Sequence, residues 1–176
     1  YAENLQDALF AQGYVEAYHR LFQMDLSTRS SDGRLSEILG EKLLAYDQKQ
    51  RRLGLAFAAD NAVKGWEKFP NKLNEVTAYA EGVNYYIQNL SADDYPMEYK
   101  LLDFAPKEWT LRHCALLLKA MTQTLAGYEE DIEMSNALRI LGKEDFNTIY
   151  PDRNPKDIPV IAGPYTNTNR PNSASV

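Results

Sequence analysis

The chain has 176 residues, 44% of them hydrophobic, enough to bury one proper core, so the expectation is one globular domain or one large piece of a bigger protein. Its 19 basic and 25 acidic residues give a formal charge of -6, leaving no basic excess to neutralise nucleic-acid phosphates or an anionic membrane. Cys114 is the only cysteine, which excludes an intrachain disulfide or thiolate metal site; no apolar stretch is long enough to span a bilayer, and "YAENLQDAL" lacks the pattern of a signal peptide.

A processed chain would look the same, so Tyr1 need not be where the gene begins. The first segment predicts a helix. Asn4 can cap it, Asp7 sits in its first turn, and Phe10, Tyr14, Ala17, Leu21 and Met24 recur at spacings of three and four. Gly13 inside that pattern costs about 1 kcal/mol relative to alanine, which points to close approach of another backbone. "SSDG" (30–33) is read as the break, followed by a short helical "RLSEIL" stopped by Gly40 and by "KLLAYDQKQRRL" stopped by Gly54.

Leu55, Ala59, Ala62, Trp66 and Phe69 form the stripe of a helix ending before Pro70, and Leu73, Val76, Ala80, Val83, Ile87 and Leu90 form the stripe of the next. "SADDYPMEYKLLDFAPKEWT", with Pro96 and Pro106, reads as a loop around a short extended piece. Thr110 offers an N-cap for "LRHCALLLKAMTQTLA", apolar on nearly every side and therefore expected to be central. A last helix, "EEDIEMSNALRILG", opens with acids suited to its positive dipole end and finishes at Gly142. These boundaries give a helical domain over 1–142 and a Pro-rich C-terminal segment over 143–176, too poor in apolar residues near its end to hold a core.

Chemistry is scarce. His19 and His113 have no ligand-spaced partners, and read as surface and capping residues. No nucleophile elbow, phosphate loop, zinc motif or calcium loop is present. The acids Glu129, Glu130, Asp131 and Glu133 allow two readings: solvated charges at a helix dipole, or an oxygen donor to a hard cation completed from elsewhere. Cys114 and Met121, taken alone, are core residues.

Two long segments carry a family likeness. "FAQGYVEAYHRLFQMDLSTRSSDGRLSEILGEKLL" resembles the opening of the small, alpha chain of penicillin acylases and related N-terminal-nucleophile amidases, acyl-homoserine-lactone and cephalosporin acylases included. "YPMEYKLLDFAPKEWTLRHCALLLKAM" is similar to the same family's run of Pro, Glu-Tyr, Leu-Leu and Pro-x-x-Trp-Thr before a buried helix. Order and spacing agree from Tyr1 to about Gly142.

The resemblance implies a mainly α chain that forms the alpha-subunit part of an αββα N-terminal-nucleophile hydrolase heterodimer. The proenzyme of such a family cuts itself into an alpha chain, a spacer and a larger beta chain, whose new N-terminal serine is the nucleophile and whose free α-amine is the base. That accounts for the missing catalytic residues; Tyr1, a phenol, cannot serve. The partner is then the beta subunit, the substrate a small N-acyl amide of penicillin or acyl-homoserine-lactone type, the location periplasmic or secreted, with neither nucleic acid nor membrane bound. The family's first strand is expected to precede "YAEN", and the Pro-rich end to lie near spacer excision. No cofactor is expected for catalysis.

Residue by residue, the family's pocket pattern Met-Ala-Asn-Arg-Phe falls on Met121, Thr122, Gln123, Thr124 and Leu125, which makes Met121, Thr124 and Leu125 the implied substrate contacts. Thr124 and Leu125 stand where the family has Arg and Phe, which argues against a phenylacetyl specificity. The family's calcium-binding glutamate falls on Asp131, with Glu133 as the second candidate for a structural calcium. Gln12, Arg20, Gln23, Asp25, Arg29 and Arg34 are expected to meet groups of the larger chain. The competing expectation is a non-catalytic helical binding module that kept the fold and lost its processing partner.

Overall fold

The computed structural model of the chain describes residues 2–126 and 130–151. Its helices are α1 (Leu5–Asp32), α2 (Ser36–Leu39), α3 (Leu44–Leu53), α4 (Leu55–Trp66), α5 (Pro70–Gln88), α6 (Met97–Leu101), α7 (Leu111–Leu125) and α8 (Asp131–Ile149), with 3-10 turns at Glu41–Leu43 and Ala92–Asp94. No strand occurs among the described residues. Contacts divide the chain into two compact units, Tyr1–Ala126 and Gly127–Val176. The first holds α1 to α7, the second α8.

Short-range chemistry sets the helix ends. The Asn4 side chain accepts from the Asp7 N–H at 2.9 Å and starts α1. Only Gly33 of the "SSDG" stretch stops it: at φ 65 its N–H returns to the carbonyls of Arg29 and Ser30, a left-handed cap that costs glycine nothing. Thr110 caps α7 by a reciprocal box with His113. Asp47, buried on α3, accepts from the N–H groups of Leu35 at 2.9 Å and Ser36 at 2.8 Å, which supplies the start of α2. Burial opposes its charge, yet these bonds and Arg51 hold its carboxyl below the usual range.

The long helices α1 and α5 cross in backbone contact, as the glycine inside α1 predicted. A Cβ on Gly13 would lie 2.1 Å from the Tyr79 carbonyl oxygen, and one on Gly82 would lie 2.0 Å from that of Phe10. Around that crossing Ala17, Leu21, Met24, Ala80, Val83, Tyr99 and Trp109 form the main core, and Ala59, Ala115 and Leu116 join α4 to α7 in a second cluster. Trp109 is fixed by a two-way bond: its N–H donates to Asn84 Oδ1 at 2.7 Å, and Asn84 Nδ2 donates to its carbonyl at 2.8 Å. Its indole N–H meets Cys114 Sγ at 3.2 Å.

Three expectations change. The Pro96 region is not extended: the Pro96 carbonyl accepts from the Tyr99 N–H at 3.1 Å, and α6 turns Tyr99 into the core. Proline fits just ahead of a helix because its missing N–H is not needed there. Nor is α7 buried all round: Ala115 and Leu116 are inside, whereas Leu118, Met121 and Leu125 are 52%, 56% and 77% exposed. The last helix does not finish at Gly142. It breaks there, at φ 79, and resumes to Ile149, so the first residues of the 143–176 segment are helical. Of the segment expected to lie near spacer excision, 143–176, residues 152–176 lie outside the described residues, as does Glu129.

Candidate functional site

Two very different hollows flank α1. The first is polar and closed by ion pairs. Arg112, in the first turn of α7, donates to both Asp32 oxygens at 2.9 and 2.7 Å and to Asp60 at 2.8 Å, which ties α7 to the last turn of α1 and to α4. Arg34 reaches Asp32 at 3.4 Å and Glu37 at 2.7 Å. Arg29 donates to Asp25 at 2.8 Å and Glu37 at 3.0 Å while lying 5.3 Å over the Phe104 ring. Tyr99 donates to Asp25 at 3.3 Å.

Burial works against a charge on Asp32, but Arg112 and Arg34 outweigh it and hold the carboxyl below its ordinary value; the Arg34 bond does the same for Glu37. The cavity enclosed here, ≈ 40 Å³, is too small for a substrate. Asp25, Arg29, Asp32 and Arg34 are spent on one another and on Glu37 and Arg112. This corrects the expectation that Asp25, Arg29 and Arg34 are kept for a partner chain: Asp25 and Arg29 pair one turn apart on α1, Arg34 pairs with Glu37 three residues on, and Glu37 also reaches Arg29. Gln12, too, has an internal bond, donating to Glu16 at 2.8 Å.

The second hollow is an open groove of ≈ 780 Å³ between α1 and α7, mostly apolar. Val15, Met24, Cys114, Leu117, Leu118 and Met121 supply its apolar surface, and Gln12, Glu16, His19, Arg20, Gln23 and Thr124 its polar edge. The Tyr79 hydroxyl donates to Glu16 at 2.6 Å, which with burial drives the phenol far above its usual range and leaves it protonated. Burial likewise lifts the Cys114 thiol to about 11, so it is no nucleophile at neutral pH. His113 Nδ1 accepts from the Thr110 N–H at 3.0 Å, and burial lowers its pKa; it is a neutral capping residue.

Met121 and Thr124 both line this groove, near the exposed end of α7; Leu125 follows, outside the lining. Asp131 and Glu133 stand exposed in the first turn of α8, in the other unit. Among the described residues no group of three or more His, Cys, Asp or Glu side chains could hold a metal. Carboxylate oxygens are right in kind for calcium, which takes six to eight oxygens; Asp131 and Glu133 would supply at most four, the rest coming from elsewhere. The groove also gathers His19, read from the sequence as a surface residue, and the Glu16–Tyr79 pair, which the sequence did not mark. Sixty-odd residues separate the two members of that pair, and no spacing rule connects them.

Comparison with known proteins agrees with this architecture. A model of the penicillin amidase family matches residues 1–175. The acyl-homoserine lactone acylase QuiP of Pseudomonas aeruginosa is 32% identical over 152 residues, 84% of this chain and 18% of that protein. Penicillin G acylase of Escherichia coli is 29% identical over 112 residues, 62% of this chain and 13% of the relative. The penicillin acylase 2 proenzyme of a Pseudomonas species is 33% identical over 116 residues, 65% of this chain and 14% of the relative. The chain therefore spans under a fifth of the length of these relatives. In three dimensions it is similar to a thermostable penicillin G acylase from Alcaligenes faecalis, with a TM-score of 0.73 at 21% identity, over 93% of this chain and 91% of that one; at that identity the likeness speaks for the fold.

Proposed function

The chain belongs to the penicillin amidase family, and from that premise we propose that it is the smaller, alpha chain of an exported amidohydrolase that cleaves a linear N-acyl amide. The supporting observation is the α1–α7 groove: its volume falls in the range of small-molecule sites, yet it lies open to one side, with Met121 and Thr124 on its wall and, among the described residues, no activated nucleophile in its lining. A second chain closes it.

That larger chain brings the reacting groups. Its N-terminal serine hydroxyl attacks the amide carbonyl while its own α-amine takes the hydroxyl proton; the amine product leaves, and water releases the acid from the ester. Backbone and amide donors of the same chain hold the oxyanion. Met121, Thr124 and Leu125 shape the acyl side. With neither cation at 124 nor aromatic ring at 125, that side suits a flexible aliphatic acyl chain, as in an acyl-homoserine lactone, better than a phenylacetyl group.

The test is expression of the complete gene in a bacterial host, intact-mass measurement of the product, and hydrolysis of a long-chain acyl lactone against a phenylacetyl amide. Two co-purifying chains, the larger beginning with Ser, and faster turnover of the lactone are expected. A lone, uncleaved and inactive chain would make this a binding module instead; two chains with faster phenylacetyl turnover would overturn the acyl assignment alone.

A further inference from the structure

Arg20 stands apart from the arginines around it. Arg29, Arg34 and Arg112 meet carboxylates at 2.8, 2.7 and 2.7 Å. Arg20 is exposed and makes no ion pair or side-chain hydrogen bond among the described residues. The backbone leaves helical geometry at this residue alone in α1, at φ -143 and ψ 20. It borders the α1–α7 groove on one side and, on the other, a hollow where Asp94 and Glu98 stay beyond ion-pairing distance.

The groove edge near Arg20 offers it no free carboxylate. His19 and Gln23 flank it, and the one acid of the lining, Glu16, already accepts from Tyr79 and Gln12. Beside this edge Val15, Leu118 and Met121 are 50%, 52% and 56% exposed, an apolar strip with a polar rim of the kind that marks a binding surface. Along α1 the lining runs from Gln12 to Ser27, about 22 Å at the helical rise. An N-acyl amide seated against Met121 and Thr124 leaves much of that length uncovered, whereas six or seven residues of extended polypeptide span it at about 3.3 Å each. An apolar occupant would strip water from Arg20 without pairing it, at high cost; a carboxylate removes that cost.

We propose that the α1–α7 groove seats an extended segment of the larger chain, with an Asp or Glu carboxylate paired to Arg20 and apolar side chains over Val15, Leu117 and Leu118. This rests on the reading of the chain as the smaller subunit. Arg20 is thus an assembly residue, and the end of the groove at Met121 is left to substrate.

The experiment uses the complete precursor gene with two arms. A benzophenone amino acid at position 19 crosslinks whatever lies against the groove edge, and mass spectrometry identifies the captured peptide. Arg20→Glu and Arg20→Lys are compared for recovery of the larger chain on a tagged smaller chain across a salt series. The expected peptide comes from the larger chain and carries an Asp or Glu; Arg20→Glu lowers recovery by about tenfold and Arg20→Lys far less. A captured peptide without an acid overturns the proposal, as does wild-type assembly in Arg20→Glu, including the case where only KM for substrate rises. If the wild-type chain recovers no larger chain at all, it is the subunit reading that fails.

Discussion

Gly82→Ala sets two effects of opposite sign against each other at the α1–α5 crossing. Helix propensity favours alanine by about 1 kcal/mol in a helix interior. Space opposes it: the added Cβ would sit 2.0 Å from the Phe10 carbonyl oxygen, 2.8 Å from its carbon and 3.0 Å from the Tyr14 nitrogen. These are backbone atoms, so no side chain can rotate away, and the two helices must separate by about 1 Å before the contact is tolerable. A gap of that size forfeits a quarter to a half of the dispersion well of each pair across it, and the pairs concerned include Ala17, Ala80 and Val83 of the main core. Overpacking of this kind costs about 3 kcal/mol, so the net loss is about 2 kcal/mol.

Gly65, on α4, is the internal control, because a Cβ there meets nothing within 4 Å. Gly65→Ala should be neutral or stabilising by up to about 1 kcal/mol. Urea unfolding of the assembled enzyme followed by tryptophan fluorescence ranks the three proteins: Gly82→Ala below wild type, Gly65→Ala at or above it. Gly13→Ala combined with Gly82→Ala should lose less than the sum of the singles, since helices already pushed apart have room for the second methyl. A Gly82→Ala midpoint at or above wild type would refute the close crossing.

Met121→Trp should change the ratio of kcat/KM between a long acyl lactone and a phenylacetyl amide by about tenfold or more while the chains still co-purify, because a bulkier ring fills the groove without touching the core; unchanged selectivity excludes Met121 from the acyl wall. Arg112→Met leaves Asp32 with Arg34 alone at 3.4 Å and should destabilise by about 1–3 kcal/mol, read as a lower urea midpoint. For Asp32 the folded carboxyl lies below its unfolded value of 3.8, so its contribution is complete above that pH and is lost as pH falls through the folded value; the wild-type advantage over Asp32→Asn should shrink only below about pH 4. Cys114, with its thiol lifted to about 11, should react with a disulfide reagent at pH 8 roughly two orders of magnitude more slowly than a free cysteine of pKa about 8.5. A fast reaction would mean that the thiol is open to solvent.

The sequence by itself determined the helical class, the family likeness and those helix ends that depend on groups within about four residues: Asn4 to Asp7, Thr110 to His113, Gly33 back to Arg29; the start of α2, held by Asp47, and the end of α8 were not among them. It also exposed the close helix crossing, since a glycine in a helical stripe has few other uses. What it misjudged was pairing. Arg29 and Arg34 were assigned to another chain although Asp25 lies one turn from Arg29 and Glu37 three residues from Arg34, and only the fold carries Glu37 to Arg29 and, across 80 residues, Asp32 to Arg112. Likewise α7, a nearly uninterrupted apolar run in the sequence, has one face inside and Met121 on the other. Local hydrogen bonds are encoded by spacing along the chain; the partner of a charge and the exposed side of a helix are decided by which other helices fold against it, and that only the tertiary structure specifies.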